Sequence, residues 1–194
     1  MNLKTNYANR KKYDFLNGVG DRLLEHYMRI VDFRHVNTVL DIGSGDGSFH
    51  MACKKKGLVS HKLDYPEFDA ERNYIMFEPK TIDLITLNAV IEHIKDPSHI
   101  MTEIYKVLSP KGKVIIRTTN FRMDYKNFYN DVTHVKPYTP ESLKMLLELS
   151  GFKVTFCEPG LILKSDFWYT IPFKWTVAKY LTGGTKSVII VGEK

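Results

Sequence analysis

The sequence predicts a single α/β domain, doubly wound around a mostly parallel sheet. Three observations carry that reading. Apolar strand patterns alternate with amphipathic helical ones, the first strand runs directly into a glycine-rich turn, and no repeat, linker or low-complexity stretch divides the 194 residues. A chain of this length, 43% hydrophobic and 26% charged, holds one sizeable core with little room for a second.

The elements follow in order. Residues from about Asp21 to Phe33 place Leu23, Leu24, Tyr27, Met28 and Val31 on one face of a helix. Thr38 to Ile42 is a short buried strand that ends in Gly43-Ser44-Gly45-Asp46-Gly47. A helix from Ser48 to Lys56 is stopped by Gly57, and Val59 to Leu63 is a weaker strand ending at Asp64. Ile82 to Leu87 is again a buried strand. Asp96 then caps a helix with Pro97 at its first position and Ile100, Ile104, Val107 and Leu108 toward the core.

Pro110-Lys111-Gly112 turns the chain into the apolar strand Lys113 to Arg117. Residues 118–138 have no clean period and read as a long loop, which in a compact domain usually carries function. Thr139-Pro140-Glu141 opens a helix ended by Gly151, and Phe152 to Cys157 and Ser187 to Val191 read as strands. Between those two strands lie Phe167, Trp168, Tyr169, Phe173, Trp175 and Tyr180. The domain thus divides into an N-terminal helical region (1–35), a core (36–157) and an aromatic-rich connection with the last strand (158–194).

Composition excludes disorder, collagen and coiled coil, and no run approaches the roughly 18 apolar residues of a membrane helix. The N-terminus leads into Arg10-Lys11-Lys12 without an apolar stretch, so no secretory signal is expected. Cys53 and Cys157 are too few for a disulfide framework and lack metal-ligand spacing, which points to a reducing cytoplasm. The net charge of +6 is compatible with an anionic partner. The run Lys54–Lys56 closes a helix, however, where cations complement the dipole, so nucleic acid is a minority reading.

In an open α/β sheet, ligands bind beyond the carboxyl ends of the strands. The glycines after the first strand allow a tight turn and let a ligand lie against bare backbone beside a helix N-terminus. No Gly-Lys-Ser/Thr ending makes this a P-loop, and Ser48 stands where a dinucleotide motif needs its third glycine. Asp41, inside the strand and two residues before the first glycine, suits a ligand carrying positive charge. Asp64 follows 23 residues later at the end of the second strand, where an acidic side chain holds a ribose diol.

These residues resemble the class I S-adenosylmethionine-dependent methyltransferases. Val39 to Phe49 matches their first motif, Asp83 to Pro97 looks like their fourth strand and the loop after it, and Leu108 to Ile116 looks like the turn into the fifth. The resemblance implies a Rossmann-like, seven-stranded sheet with an antiparallel C-terminal hairpin, and S-adenosyl-L-methionine as cofactor. It places Gly43, Ser44, Gly45 and Gly47 along the methionine and ribose of the cofactor, with Asp41 near the amino group. Asp64 takes the ribose hydroxyls, Tyr65 lies beside the adenine, and Asn88 and Ala89 offer backbone near the sulfonium. The bland alternatives are a surface turn for Asp64 and a strand cap for Asn88. Only 18 residues separate Asp64 from Asp83, where the family fits a helix, a strand and a connection. Asn73 to Phe77 is the candidate third strand, Pro66 to Arg72 holds at most one or two helical turns, and Glu78 is the candidate acidic partner of the adenine amine.

Asn88-Ala89-Val90-Ile91 departs from the Asn/Asp-Pro-Pro-Tyr/Phe of base-amine methylation, and neither cysteine sits where cytosine methylation needs one. The resemblance is to the branch acting on small molecules and glycans, strengthened by Asp131 to Pro140. A sugar hydroxyl is poorly acidic, so its methylation benefits from a base or a metal. His134 is the candidate base with Asp131 as orienting partner; the alternative is that His134 packs or caps the next helix. His93 reads as structural, and no His/Asp/Glu cluster suggests a metal. The aromatic segment 161–183 reads either as a cover for the acceptor or a peripheral membrane contact, or more plainly as a satellite core. A catalytically silent methyltransferase-like module that binds a partner is the second functional reading. A nicotinamide-dependent oxidoreductase is the third, disfavoured by the glycine spacing.

Overall fold

The computed structural model describes residues 18–159 and 186–194. Within them six strands form one sheet: β1 (Thr38–Ile42), β2 (Val59–Leu63), β3 (Ile82–Asn88), β4 (Leu108–Thr119), β5 (Lys153–Pro159) and β6 (Ser187–Glu193). Five α-helices accompany them: α1 (Val19–Ile30), α2 (Ser48–Lys55), α3 (Ser98–Val107), α4 (Phe121–Phe128) and α5 (Pro140–Leu149). The strand order is β2-β1-β3-β4-β6-β5. The first four are parallel, and β6 lies antiparallel between β4 and β5, which is the expected C-terminal hairpin.

The alternation of side chains along each strand sorts the core into two layers. Leu40, Ile42, Ile85 and Leu87 face the layer containing Ile100, Ile104 of α3 and Leu143, Leu147 of α5. Val39, Leu84, Ile115 and Ile189 face Leu24 and Tyr27 of α1 and Phe49 and Ala52 of α2. On this second face the next inward positions of β1 and β3 are Asp41 and Thr86, so the apolar layer turns polar at the carboxyl ends of the strands.

Three expectations are corrected. Among the described residues the sheet has six strands, not seven, because Asn73–Phe77 pairs with nothing and β2 stays the edge. A parallel crossover consumes a dozen or more residues, and the 18 between Asp64 and Asp83 cannot make two of them around a strand. The segment instead sinks Phe68 and Ile75 into the core and ties the Ile75 N–H to the buried Glu103 carboxylate at 3.0 Å. The 118–138 loop contains α4, whose period is broken at Asp124 (φ −127°, ψ 26°) and which buries only Phe128. Finally, α3 begins at Ser98 with Pro97 as its cap residue, although Asp96 still accepts the Ser98 N–H at 3.0 Å.

The aromatic-rich stretch, with the readings attached to it, lies outside the described residues, as do residues 1–17 of the 1–35 region. No described helix is long and apolar enough to cross a membrane. Both cysteines are free, and α2 ends in Lys54 and Lys55 before Gly57 at φ 83°, the capped helix end the sequence suggests.

Gly20 sets how closely α1 approaches the start of α2: a Cβ there would stand 2.2 Å from the Ser48 carbonyl. Because the obstacle is backbone, the two helices must separate to admit a methyl group. Gly20→Ala is expected to destabilise the fold by about 3 kcal/mol, lowering the melting temperature on the order of 8 °C in thermal unfolding.

Candidate active site

The turn after β1 is built from backbone that side chains disfavour. Gly43, Gly45 and Gly47 have φ of 70°, 55° and 77°. The amides of Gly43 and Ser44 both reach the Leu63 carbonyl at the end of β2, at 2.8 and 3.3 Å, which docks the loop on the sheet. The first two glycines serve different ends. A Cβ on Gly43 would meet a Val90 methyl at 2.2 Å, whereas a Cβ on Gly45 would meet nothing within 4 Å. Gly43 is therefore glycine for packing as well as conformation, and Gly45 presents bare backbone to open space.

Beneath the loop sits Asp41, 2% exposed. The Thr86 hydroxyl donates to its Oδ1 at 2.8 Å. Burial drives the carboxyl up to about 7 although the side chains of Thr86 and Asn88 bond to it, and the charges of Asp64 and Asp46 push the same way. Asn88, at the end of β3, also accepts a hydrogen bond from the buried Tyr27 hydroxyl of α1. Ala89 follows in the left-handed region at φ 54°, with its N–H on the Arg117 carbonyl at 2.8 Å. A non-glycine residue held there is sparsely populated backbone of the kind that clusters at functional turns.

On the other side of the glycine loop a pocket of about 220 Å³ is walled by Gly43, Asp64, Tyr65, Phe68, Glu71 and His93, among others. Gly43, Asp64 and Tyr65 were expected there. Glu78 is not part of the wall; its carbonyl takes the Thr81 hydroxyl. Asp69 and Glu71, also on the wall, come from the shortened segment, where no period marks them in the sequence. Glu71 is fixed by the Lys95 N–H at 2.5 Å.

His93 leads from this pocket to His134, their ring centroids 4.8 Å apart. The Glu92 carbonyl accepts the N–H groups of Val135 and Lys136 at 2.9 and 3.1 Å, which pins the 134–136 segment over the β3 exit. His134 also packs on Phe128, and its Nδ1 lies 2.6 Å from the Phe128 carbonyl. Since a carbonyl only accepts, that nitrogen carries the proton and Nε2 keeps the lone pair. The expected orienting partner, Asp131, does something else. Its carboxylate accepts the Thr133 N–H at 3.0 Å and the Thr133 hydroxyl at 2.6 Å, while the Thr133 side chain and carbonyl approach His93 Nδ1 at 2.9 and 3.1 Å. Burial alone would raise the Asp131 carboxyl, but those two bonds hold it below the usual range. Asp131 thus serves His93 through Thr133. The expectation of no ligand cluster also fails: one ligand atom each from Glu92, His93 and His134 falls within 4.8 Å of the others.

The arrangement offers a glycine turn open at Gly45, a buried carboxyl at Asp41, a pocket with Asp64, Asp69 and Glu71 on its wall, and His93 on that wall with His134 packed beside it. The profile of the methyltransferase domain family matches residues 13–155. Phosphoethanolamine N-methyltransferase 2 of Caenorhabditis elegans is 29% identical over 143 residues, covering 58% of this chain and 33% of that protein. The ubiquinone biosynthesis O-methyltransferase of Pseudomonas entomophila is 28% identical over 102 residues, 42% of this chain and 44% of that one. The chain therefore spans less than half the length of these curated relatives. A SAM-dependent methyltransferase from Archaeoglobus fulgidus superposes with a TM-score of 0.66 at 25% identity, covering 90% of this chain and 92% of that one.

Asp41 gives a stability prediction whose sign is fixed. Its folded pKa lies above its ordinary value of 3.8, so its contribution is fully present below pH 4 and is lost as pH rises through about 7. At pH 8 Asp41→Asn should be more stable than wild type, by at most roughly 4 kcal/mol, and below pH 4 the two should converge in urea unfolding.

Proposed function

The chain belongs to the methyltransferase domain family, and from that premise we propose that it transfers the methyl group of S-adenosyl-L-methionine to a hydroxyl of a small molecule or glycan. The observation that carries the cofactor is the pairing of the open backbone at Gly45 with the buried Asp41 below it. An α-ammonium meets there a carboxylate whose ionisation burial opposes, and the opposite charge is what that carboxylate lacks. Asp64 and Tyr65, at the pocket mouth, are the ribose and adenine contacts, with Ser44 and Gly47 completing the loop. Asn88 and Ala89 set the backbone near the sulfonium.

When bound, S-adenosylmethionine supplies an electrophilic methyl on sulfur, the C–S bonding pair returning to sulfur as the acceptor oxygen takes the methyl. His134 removes the hydroxyl proton to its Nε2, with Nδ1 held by the Phe128 carbonyl. His93, on the pocket wall, positions the acceptor between the imidazoles and the cofactor. Because holding the acceptor in line supplies much of the rate, the two rings act chiefly through placement. The choice of oxygen over nitrogen rests on this histidine pair and on the Asn88-Ala89-Val90-Ile91 sequence, which lacks the prolines of base-amine enzymes. Small-molecule acceptors are also named for the curated relatives: phosphoethanolamine for one and a ubiquinone precursor pathway for the other.

Two outcomes test this. His134→Ala should bind S-adenosylhomocysteine like wild type yet lose about 10²–10⁴-fold in turnover on the acceptor identified by screening; unchanged turnover removes His134 from the reaction. S-adenosylhomocysteine affinity should rise as pH passes upward through about 7, where Asp41 ionises, by up to roughly tenfold per pH unit below that point, and the rise should vanish in Asp41→Asn. A methyl-transfer assay reads the first, and isothermal titration with S-adenosylhomocysteine at pH 6, 7 and 8 reads the second.

A further inference from the structure

We propose that Glu92, His93 and His134 bind one divalent transition cation of the zinc, cobalt or manganese type beside the pocket whose wall includes His93. One ligand atom from each lies within 4.8 Å of the other two. Three further observations point to an ion rather than to a chance grouping.

First, Glu92 is 1% exposed, and its Oε2 has no hydrogen-bond partner among the described residues. An unpaired buried carboxylate oxygen costs several kcal/mol unless a cation meets it, so it asks for one. Second, both imidazoles are prepared as ligands. His134 Nδ1 is committed to the Phe128 carbonyl and His93 Nδ1 to the Thr133 carbonyl, at 2.6 and 3.1 Å. Each ring therefore presents Nε2 with its lone pair, and a backbone carbonyl behind a ligating histidine is the usual second shell of a metal site. Third, Asp131 reinforces His93 through the Thr133 hydroxyl, extending that support one layer outward.

Two imidazoles with one carboxylate select a borderline transition ion over magnesium or calcium, which prefer all-oxygen shells. Tetrahedral zinc bonds near 2.0–2.1 Å put ligand atoms about 3.4 Å apart, so rotation of the side chains must draw the three together. What such an ion supplies is positive charge that makes an adjacent hydroxyl acidic. This catalytic consequence rests on the methyl-transfer reading, and binding of the ion does not. In the loaded protein Nε2 of His134 is a ligand and the acceptor proton leaves to solvent. In the stripped protein the same nitrogen takes the proton itself.

The experiment is titration of chelator-treated full-length protein with Co²⁺, read by its visible absorption, for wild type, Glu92→Gln, His93→Ala, His134→Gln and the distant control His50→Ala. Wild type and His50→Ala should take up one Co²⁺ per chain with micromolar affinity, Zn²⁺ should displace it, and each ligand variant should bind at least tenfold more weakly. Circular dichroism confirms that every variant is folded, and Glu92→Gln keeps the buried shape while removing the charge. Absence of Co²⁺ uptake by folded wild type, or uptake indifferent to the three substitutions, overturns the proposal. S-adenosylhomocysteine titration of the same samples separates the two readings: cofactor binding without Co²⁺ uptake ends the metal site alone, and Co²⁺ uptake without cofactor binding ends the methyl-transfer reading alone.

Discussion

A carboxylate buried where the sheet turns polar is the constraint around which the rest of the site is arranged. Asp41 occupies an inward position of β1 that would otherwise continue the apolar layer of Val39, and burial, helped by the charges of Asp64 and Asp46, raises its carboxyl to about 7 against the bonds from Thr86 and Asn88. The structure offsets that cost locally through Thr86 and Asn88, both on β3, and Asn88 is held in turn by Tyr27 of α1. One side chain thus couples two strands and a helix at the point where the glycine loop leaves the sheet. Satisfied networks of this kind specify geometry because a half-satisfied one is costly.

The parts of the fold legible in the sequence are those set by local chemistry. The glycines after Ile42, the apolar runs of β1, β3 and β4, and the Thr139 capping box of α5 each follow from a few adjacent residues. The glycine loop, Asp41, Asp64 and Tyr65 were legible for the same reason. What could not be read was set by long-range closure. Among the described residues the Asp64–Asp83 segment is too short to add a seventh strand, and Ile75 finds its partner in Glu103 of a helix still to come. Asp69 and Glu71 become pocket wall only when that segment folds inward. Likewise His134 meets Glu92 and His93 across some forty residues, through backbone bonds from Val135 and Lys136. Asp131, expected as the orienting partner of His134, bonds to the N–H and hydroxyl of Thr133.

The shortened crossover shapes the pocket beside the glycine loop. In place of an additional strand, a segment anchored by Phe68 and Ile75 closes the pocket with carboxylates from Asp64, Asp69 and Glu71. The β3 exit is richer than the sequence indicates, with two backbone-anchored imidazoles and a buried carboxylate converging there. The two sides meet at Val90, which packs into the space that Gly43 leaves and lines the same pocket.

The central claim is that this abbreviated pocket still holds the cofactor. Calorimetric titration of wild type and Gly45→Arg with S-adenosylhomocysteine at pH 8 tests it most directly, with NADH and NADPH as parallel ligands. The account predicts micromolar binding of the adenosyl ligand by wild type, its loss when an arginine fills the open space at Gly45, and no binding of either nicotinamide. Folded wild-type protein that gives no heat with S-adenosylhomocysteine would contradict it, and would leave the domain as a silent module whose pocket serves a partner.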